Sequence, residues 1–158
     1  MSVARTPPTP APAAVREVGT LDELVALLAE WPADDGPYVR WTADLDRDLQ
    51  TEVSTDDLTG VPLPGLSANG LTREPWWGDR PMRLWIARRL YDYRHLVKVR
   101  GHGTEPWIMS GREVGRGPDN EPLVRAGQVI ARVTSAVIEE ATQAVESLPA
   151  DWGSLQRQ

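Results

Sequence analysis

The chain has 158 residues, enough for one domain that buries its own core. It contains no cysteine and two histidines, which excludes disulfides and thiolate metal sites and predicts that no metal is bound. The formal net charge of −6 disfavours general nucleic-acid binding, and no apolar run has the length of a membrane span. We therefore expect a cytoplasmic protein that binds neither nucleic acid nor a membrane.

Charge is distributed unevenly along the chain. The net charge is −8 for residues 1–60, +5 for residues 61–132 and −3 for residues 133–158, counting Asp, Glu, Lys and Arg. The basic middle segment could attract a small anion such as a nucleotide. Alternatively, the acidic segments fold back on the middle segment and neutralise it.

Composition also predicts the domain boundaries. Residues 1–17 are rich in proline and alanine, and repeated prolines forbid a helix, which predicts a disordered tail. Residues 18–150 are predicted to form a single α+β domain. Residues 151–158 are predicted to form a frayed C-terminal tail.

The first predicted element is a helix over residues 20–31. Thr20 and Glu23 have the spacing of a capping box, and the apolar residues that follow recur at helical spacing. Residues 43–60 are acidic and have no apolar period, which predicts a long loop.

Two short segments supply candidate ligand-binding residues. On a predicted strand over residues 38–41, Tyr38 and Arg40 share one face, so Arg40 is either fixed beside aromatic residues or exposed on an edge strand. Ser67 lies among small residues in the segment 61–71. Such residues either allow a close approach to a ligand or form a tight structural loop.

An adjacent tryptophan pair and a helix follow. Trp76 and Trp77 cannot easily face the same way, so we expect one in the core and the other beside a groove. Residues 81–96 have the apolar stripe of a helix, and several arginines lie off that stripe. Those arginines form either a solvated face or an anion site.

The segment from 107 to 124 contains glycines, arginines and acids between two apolar runs. Residues 107–114 and 123–133 are predicted strands, and the glycines between them predict a turn. Asp119 and Glu121 lie where this turn enters the second strand, which makes them the candidate catalytic pair.

The last predicted element is a helix capped by Ser135. Taken together, the order of elements predicts an α+β fold, with a small, mainly antiparallel sheet and about three flanking helices.

Arg40 on the first strand, Ser67 in its small-residue segment and the acid-x-Glu run of Asp119 and Glu121 resemble the Arg, Ser, Glu pattern of mono-ADP-ribosyltransferases. This resemblance covers about residues 38–134 and implies an ADP-ribosyltransferase-like fold with NAD as substrate. It further implies that Glu121 stabilises the ribosyl cation and that Asp119 orients the attacking group. The NAD-binding residues implied by the resemblance are Arg40, Ser67, Trp76 and Tyr38.

The segments YVRW, LPGLSANGL, EPWW and GRGPDNEPLV resemble a family of short, uncharacterised actinobacterial proteins. This second resemblance covers about residues 20–140 and implies no activity.

The sequence favours a binding or interaction domain with a polar pocket around Arg40, Ser67 and Glu121. Its partner would be a protein or a small anionic ligand, and the sequence does not define an oligomeric state. One alternative is the transferase-like enzyme that consumes NAD. Another is a phosphate- or nucleotide-binding regulator that uses the arginines of residues 83–100.

Overall fold

The computed structural model of the protein describes residues 16–31, 36–56, 58–101, 103–118 and 120–148. The strands in these ranges are β1 (Arg16–Val18), β2 (Tyr38–Thr42), β3 (Ser54–Thr55), β4 (Pro62–Leu63), β5 (Leu66–Ser67), β6 (Asn69–Gly70), β7 (Glu105–Arg116) and β8 (Pro122–Val133). The helices are α1 (Leu21–Ala29), α2 (Leu45–Thr51), α3 (Met82–Tyr93), α4 (Leu96–Arg100) and α5 (Ser135–Glu146), with a 3₁₀ turn at Pro75–Trp77.

One mixed sheet organises the domain. Its strands lie in the order β1, β8, β7, β2, β6. All neighbouring pairs are antiparallel except β1 and β8, which run parallel. β3 and β4 form a separate antiparallel pair. The predicted α+β fold with a mainly antiparallel sheet is therefore confirmed.

The segment 66–70 closes this sheet on itself. β5 pairs with the first residues of β8, and β6 pairs with β2, where Asn69 lies opposite Val39. Ala68 alone separates β5 from β6, and its N–H donates to the Pro122 carbonyl at 3.1 Å. The segment is therefore an extended bridge between two strands, rather than the tight structural loop that was one alternative for residues 61–71.

Three helices, α1, α3 and α5, cover one face of the sheet. The alternation of β2 turns Val39 and Trp41 into this core, while Tyr38 and Arg40 face the other way. The largest helical contributors to the core are Leu21, Leu24, Leu28, Trp85, Ile86, Leu90, Val137 and Val145. On the opposite face, Leu45 of α2 packs in a second, smaller apolar cluster.

Residues 43–60 do not form the predicted long loop. Asp44 caps α2 by accepting the Arg47 N–H at 3.2 Å, and the β3–β4 hairpin follows. α2 buries Leu45 and leaves most of its charged residues towards solvent. A helix this short shows too little apolar period to be recognised in the sequence.

β7 and β8 form one long hairpin, and the predicted glycine-rich turn is shorter than expected. The turn begins at Gly117, whose N–H donates to the Glu121 carbonyl at 2.9 Å. Gly111 instead lies buried inside β7, where an added Cβ would overlap with Val124 Cγ1. That glycine therefore permits close packing between the strands and does not form a turn.

The ends of the domain differ in detail from the predictions. β1 begins at Arg16, so the last two residues of the predicted tail 1–17 belong to the sheet. The rest of that tail and residues 151–158 lie outside the described residues. The cap of α5 is Thr134, without a side-chain cap bond, so the predicted Ser135 cap is wrong. No helix in the described ranges is long and apolar enough to cross a membrane.

Candidate functional site

Arg40 is a buried charge that holds Ser67 in place. Its Nε donates to Asp48 Oδ2 at 2.8 Å, and its Nη1 donates to the Ser67 carbonyl at 2.7 Å. Nη1 also lies 3.3 Å from Ser67 Oγ. Because β2 is an inner strand, between β7 and β6, Arg40 is 8% exposed. The alternative of an exposed arginine on an edge strand is therefore wrong.

Asp48 of α2 supplies the counter-charge. Its Oδ2 also accepts from Thr42 Oγ1 at 2.6 Å. A largely buried ion pair is costly to desolvate, and additional hydrogen bonds of this kind offset part of that cost. We call Arg40, Thr42, Asp48 and Ser67 the Ser67 anchor, because together they fix α2 and the segment 66–70 to the sheet.

Arg100, the last residue of α4, reaches Ser67 from a different element. Its Nη1 donates to the Trp41 carbonyl at 2.6 Å, and its Nη2 donates to Ser67 Oγ at 3.3 Å. The Ser67 N–H donates to Ser54 Oγ at 3.1 Å. The Ser67 hydroxyl oxygen therefore accepts from two guanidinium groups.

A cleft of about 710 Å³ opens beside the anchor, and four predicted site residues line it: Tyr38, Ser67, Trp76 and Glu121. Arg40 does not line this cleft. It lines a smaller cavity of about 430 Å³, which Ser67 also borders. The transferase resemblance requires Arg40, Ser67 and Glu121 around one NAD molecule, whereas Arg40 and Glu121 line different cavities that adjoin at Ser67.

The adjacent tryptophans divide between core and cleft. Trp77 is 1% exposed and Trp76 is 37% exposed. This agrees with the prediction that one of the two lies in the core and the other beside a groove. The Trp76 ring packs edge-on against Trp77 and Trp85, with centroid distances of 6.1 and 5.4 Å. Trp76 therefore presents an aromatic ring at the cleft with its orientation held by two neighbours.

Arg89 of α3 brings a positive charge to the cleft wall. Its Nε and Nη2 both donate to the Gly70 carbonyl, at 3.0 and 2.9 Å. The guanidinium carbon lies 5.2 Å from the Trp85 ring centroid and 5.8 Å from that of Tyr93. The head group is thus held by a carbonyl and two rings, which position it without neutralising its charge.

Two other arginines of the cleft have carboxylate partners. Arg88 Nε lies 2.8 Å from Asp92 Oδ1, and Arg116 Nε lies 2.6 Å from Glu113 Oε1. Among the described residues, no carboxylate pairs with Arg89. Within the same ranges, no group of three or more histidine, aspartate or glutamate side chains could hold a metal ion.

Tyr38 is a protonated donor on the cleft wall. Burial raises the pKa of its hydroxyl above the ordinary value, and the Glu113 carboxylate raises that pKa further, while Arg116 lowers it. The hydroxyl is therefore neutral at physiological pH and can donate a hydrogen bond to a ligand.

Glu121 is half-buried at the end of the β7–β8 turn. Before it, Asn120 adopts a φ of +60°, a conformation that asparagine tolerates, and Arg116 Nη1 donates to the Asn120 carbonyl at 2.9 Å. This turn geometry fixes where Glu121 meets the cleft. Its predicted partner Asp119 lies outside the described residues.

Sequence reasoning missed the role of Asp48, and it included Arg89 and Arg100 only among the arginines of residues 83–100 that one alternative assigned to anion binding. Asp48 fell in the segment assigned to a loop, because the Asp44 cap and the single four-residue spacing of Leu45 and Leu49 are too weak a signal to predict a helix. Nothing in the sequence distinguishes Arg89 and Arg100 from the neighbouring arginines, because only the orientation of α3 and α4 brings these two side chains to the site.

Comparison with known proteins identifies a family. A search of curated proteins gave no match, and a search of solved structures gave none. A family model described as "Family of unknown function (DUF6098)" matches residues 11–154, which include the sheet, the helices and both cavities. The predicted membership of an uncharacterised family is therefore confirmed. The chain belongs to DUF6098, a family of unknown function.

Proposed function

We propose that this protein is a small-molecule-binding domain whose ligand carries an aromatic ring and an anionic group. The observation that carries the proposal is the presence, in one cleft, of the exposed Trp76 ring and the Arg89 guanidinium. Trp76 offers a face for stacking, and Arg89 offers a charge for a carboxylate or a similar anion.

The dimensions of the cleft support a small ligand. Its volume of about 710 Å³ falls within the range of roughly 300–1,000 Å³ that small-molecule sites occupy. A compound of one or two rings would fit within that space and leave room for further groups. A folded protein partner would instead require a broad surface.

Charge distribution limits which anions the cleft would take. The lining contains five arginines and five carboxylates, so the cleft as a whole does not attract anions indiscriminately. Recognition would therefore depend on the local position of Arg89, which is held by the Gly70 carbonyl. A fixed guanidinium favours a planar anion that can accept two parallel N–H bonds.

Two further groups would orient the ligand. The Tyr38 hydroxyl would donate to a ligand oxygen, because its raised pKa keeps it protonated. The Glu121 carboxylate would accept from a ligand hydroxyl or amino group. The preferred ligand would accordingly carry a hydrogen-bond donor in addition to its ring and anion.

The transferase alternative differs from this proposal in its use of Arg40. A transferase would need that guanidinium for the NAD phosphate, whereas Nε and Nη1 of Arg40 bind Asp48 and Ser67. A binding domain uses Arg40 only for positioning. It should consume NAD at the background rate both as wild type and as Glu121→Ala, and NAD loss that requires Glu121 would favour the transferase.

The binding proposal is tested by nuclear magnetic resonance of the seven tryptophan indole N–H groups. Benzoate serves as the anionic probe and benzamide as its neutral match, and Trp76→Phe assigns the Trp76 signal. We expect benzoate to shift the Trp76 signal saturably at millimolar concentration, with a much weaker effect of benzamide, because benzamide cannot pair with Arg89.

A matched pair of variants identifies the cation. Arg89→Gln should weaken benzoate binding about tenfold or more, because one charged hydrogen-bonding group is lost. Arg94→Gln removes the same charge from the C-cap of the same helix, outside the cleft, and should leave the affinity unchanged. An unmoved Trp76 signal, or equal affinities for Arg89→Gln and wild type, would contradict the proposal.

A further inference from the structure

We infer that the smaller cavity, of about 430 Å³, is a second site that binds a tetrahedral oxyanion of the phosphate class. This cavity shares Ser67 with the cleft and is lined by residues of α2, the start of β3 and the end of α4. It stands apart from the benzoate proposal, because Arg89 and Trp76 do not line it.

The chemistry of the cavity lining supports this inference. Three guanidinium groups line it, those of Arg40, Arg47 and Arg100, and the Asp48 carboxylate that pairs with Arg40 also borders it. Hydroxyl side chains complete the lining: Thr42, Ser54, Thr55, Ser67 and Thr104. Guanidinium forks and hydroxyl donors are the groups that bind phosphate oxygens in proteins.

Ser67 is positioned to donate to such an anion. Its Oγ accepts one N–H bond from Arg40 and one from Arg100, each at 3.3 Å. Arginine has no acceptor atom, so the hydroxyl proton must point elsewhere. Within the described ranges no protein acceptor takes that proton, and Ser67 borders the cavity. The hydroxyl can therefore donate to an oxyanion between the two arginines.

The three arginines come from three separate elements, β2, α2 and α4, so they approach the cavity from different directions. Arg40 is fixed on β2 by the Ser67 anchor, and Arg100 is tied by its bond to the Trp41 carbonyl. Arg47 is exposed on α2 and borders the same cavity. Two guanidinium groups are thus held in advance, whereas Arg47 can close on a bound anion from solvent.

The anion has two plausible chemical sources, free phosphate and the phosphoryl group of a larger ligand. Ser67 and Arg100 border both cavities, so a phosphomonoester could place its phosphoryl group in the smaller cavity and its ring in the cleft. Both sources share the same tetrahedral dianion chemistry.

Inorganic phosphate is the first probe, titrated at constant ionic strength because chloride screens exposed arginines. Backbone amide signals of Ser54 and Ser67 report the smaller cavity. We expect saturable shifts with phosphate and none with chloride. Arg47→Gln and Arg100→Gln should each weaken phosphate about tenfold or more. Arg112→Gln, an exposed arginine that lines neither cavity, should bind as wild type does.

Arg47→Gln keeps the test decisive if Arg100→Gln fails to fold, since Arg47 is exposed. Equal phosphate affinity in Arg47→Gln, Arg112→Gln and wild type, or equal effects of phosphate and chloride, would overturn the inference. Its failure differs from that of the proposed function, because benzoate acts on the Trp76 signal and phosphate acts on Ser54 and Ser67.

Adenosine 5′-monophosphate, compared with adenosine, distinguishes the two sources. If the phosphoryl group belongs to a larger ligand, the monophosphate should displace inorganic phosphate and shift both the Trp76 and Ser67 signals, while adenosine leaves phosphate bound. If the site takes free phosphate, inorganic phosphate should bind and the monophosphate should not displace it. Either result supports the oxyanion site, whereas failure of both inorganic phosphate and the monophosphate to bind overturns it.

Discussion

The Ser67 anchor and the rim of the cleft, which consists of Trp76 and Arg89, are neighbouring regions with opposite characters. In the anchor, buried side chains are joined by short hydrogen bonds within the protein, such as that from Arg40 to Asp48 at 2.8 Å. At the rim, Trp76 is exposed and Arg89 has no carboxylate partner among the described residues. Polar residues of the first kind stabilise a fold, and those of the second kind remain available to a ligand.

The comparison implies that sequence features alone do not identify a binding residue. Arg40 and Arg89 are both arginines beside aromatic residues, yet Arg40 is paired with the Asp48 carboxylate, whereas Arg89 lines the larger cleft with no carboxylate partner among the described residues. Substitutions should therefore separate the two regions, with losses of stability at the anchor and losses of binding at the rim.

The largest effect is expected for Arg40→Ala. Removing the guanidinium leaves Asp48 as an uncompensated, largely buried charge, which typically costs about 3–5 kcal/mol. Urea denaturation measures the free energy of unfolding, and Arg94→Ala, at an exposed position, should stay within about 0.5 kcal/mol of wild type. A loss below about 1 kcal/mol for Arg40→Ala would remove the distinction between anchor and rim.

The adjacent tryptophans should give opposite results. Trp77→Ala should cost about 3–5 kcal/mol of unfolding free energy, because a fully buried ring is removed. Trp76→Ala should cost much less, since that ring is partly exposed, but should abolish the benzoate response. Denaturation and equilibrium dialysis on both variants test this contrast. Equal losses of stability would show that Trp76 is a core residue.

Gly111→Ala tests packing between β7 and β8. An added methyl group would collide with Val124, which should cost about 1–3 kcal/mol through overpacking. Gly19→Ala is the matched control, because no atom lies within 4 Å of its added Cβ. Thermal unfolding of the two variants provides the comparison, and an unchanged midpoint for Gly111→Ala would refute the assignment of Gly111 to close strand packing.

The smallest effect concerns the pKa of Tyr38. Its folded-state pKa is raised, so the associated stability is complete below the ordinary pKa near 10 and is lost as the pH rises towards the folded value. Glu113→Gln should lower that pKa, because a nearby negative charge disappears. Tyrosinate absorbance of wild type, Glu113→Gln and Tyr38→Phe measures it. An identical Tyr38 midpoint with and without Glu113 would exclude this coupling.

Much of the fold follows from local patterns. Helix α1 was visible in its apolar spacing and its cap, and helix α3 in its apolar spacing. The β7–β8 hairpin was visible in two apolar runs around a turn. α2 was not, because a seven-residue helix with few apolar residues has almost no periodic signal. The closure of the sheet by residues 66–70 depends on long-range pairing, which no local pattern records.

The site was only partly predictable for the same reason. Aromatic and small residues marked Tyr38, Trp76 and Ser67 as cleft candidates, and the structure brings them to one cleft with Glu121. The role of Arg40 could not be predicted, since it depends on Asp48 approaching from α2. Sequence patterns locate polar residues, whereas burial and partners decide whether they bind a ligand or the protein itself.

The most direct test of the central claim is a crystal structure of the protein soaked with benzoate. We expect the benzoate ring to pack against Trp76, with its carboxylate about 2.7–3.2 Å from the Arg89 guanidinium nitrogens. The Arg40–Asp48 pair should remain unchanged. Benzoate bound to Arg40 in place of Asp48, or a cleft that stays empty when benzoate saturates the protein in solution, would contradict the division between anchor and rim.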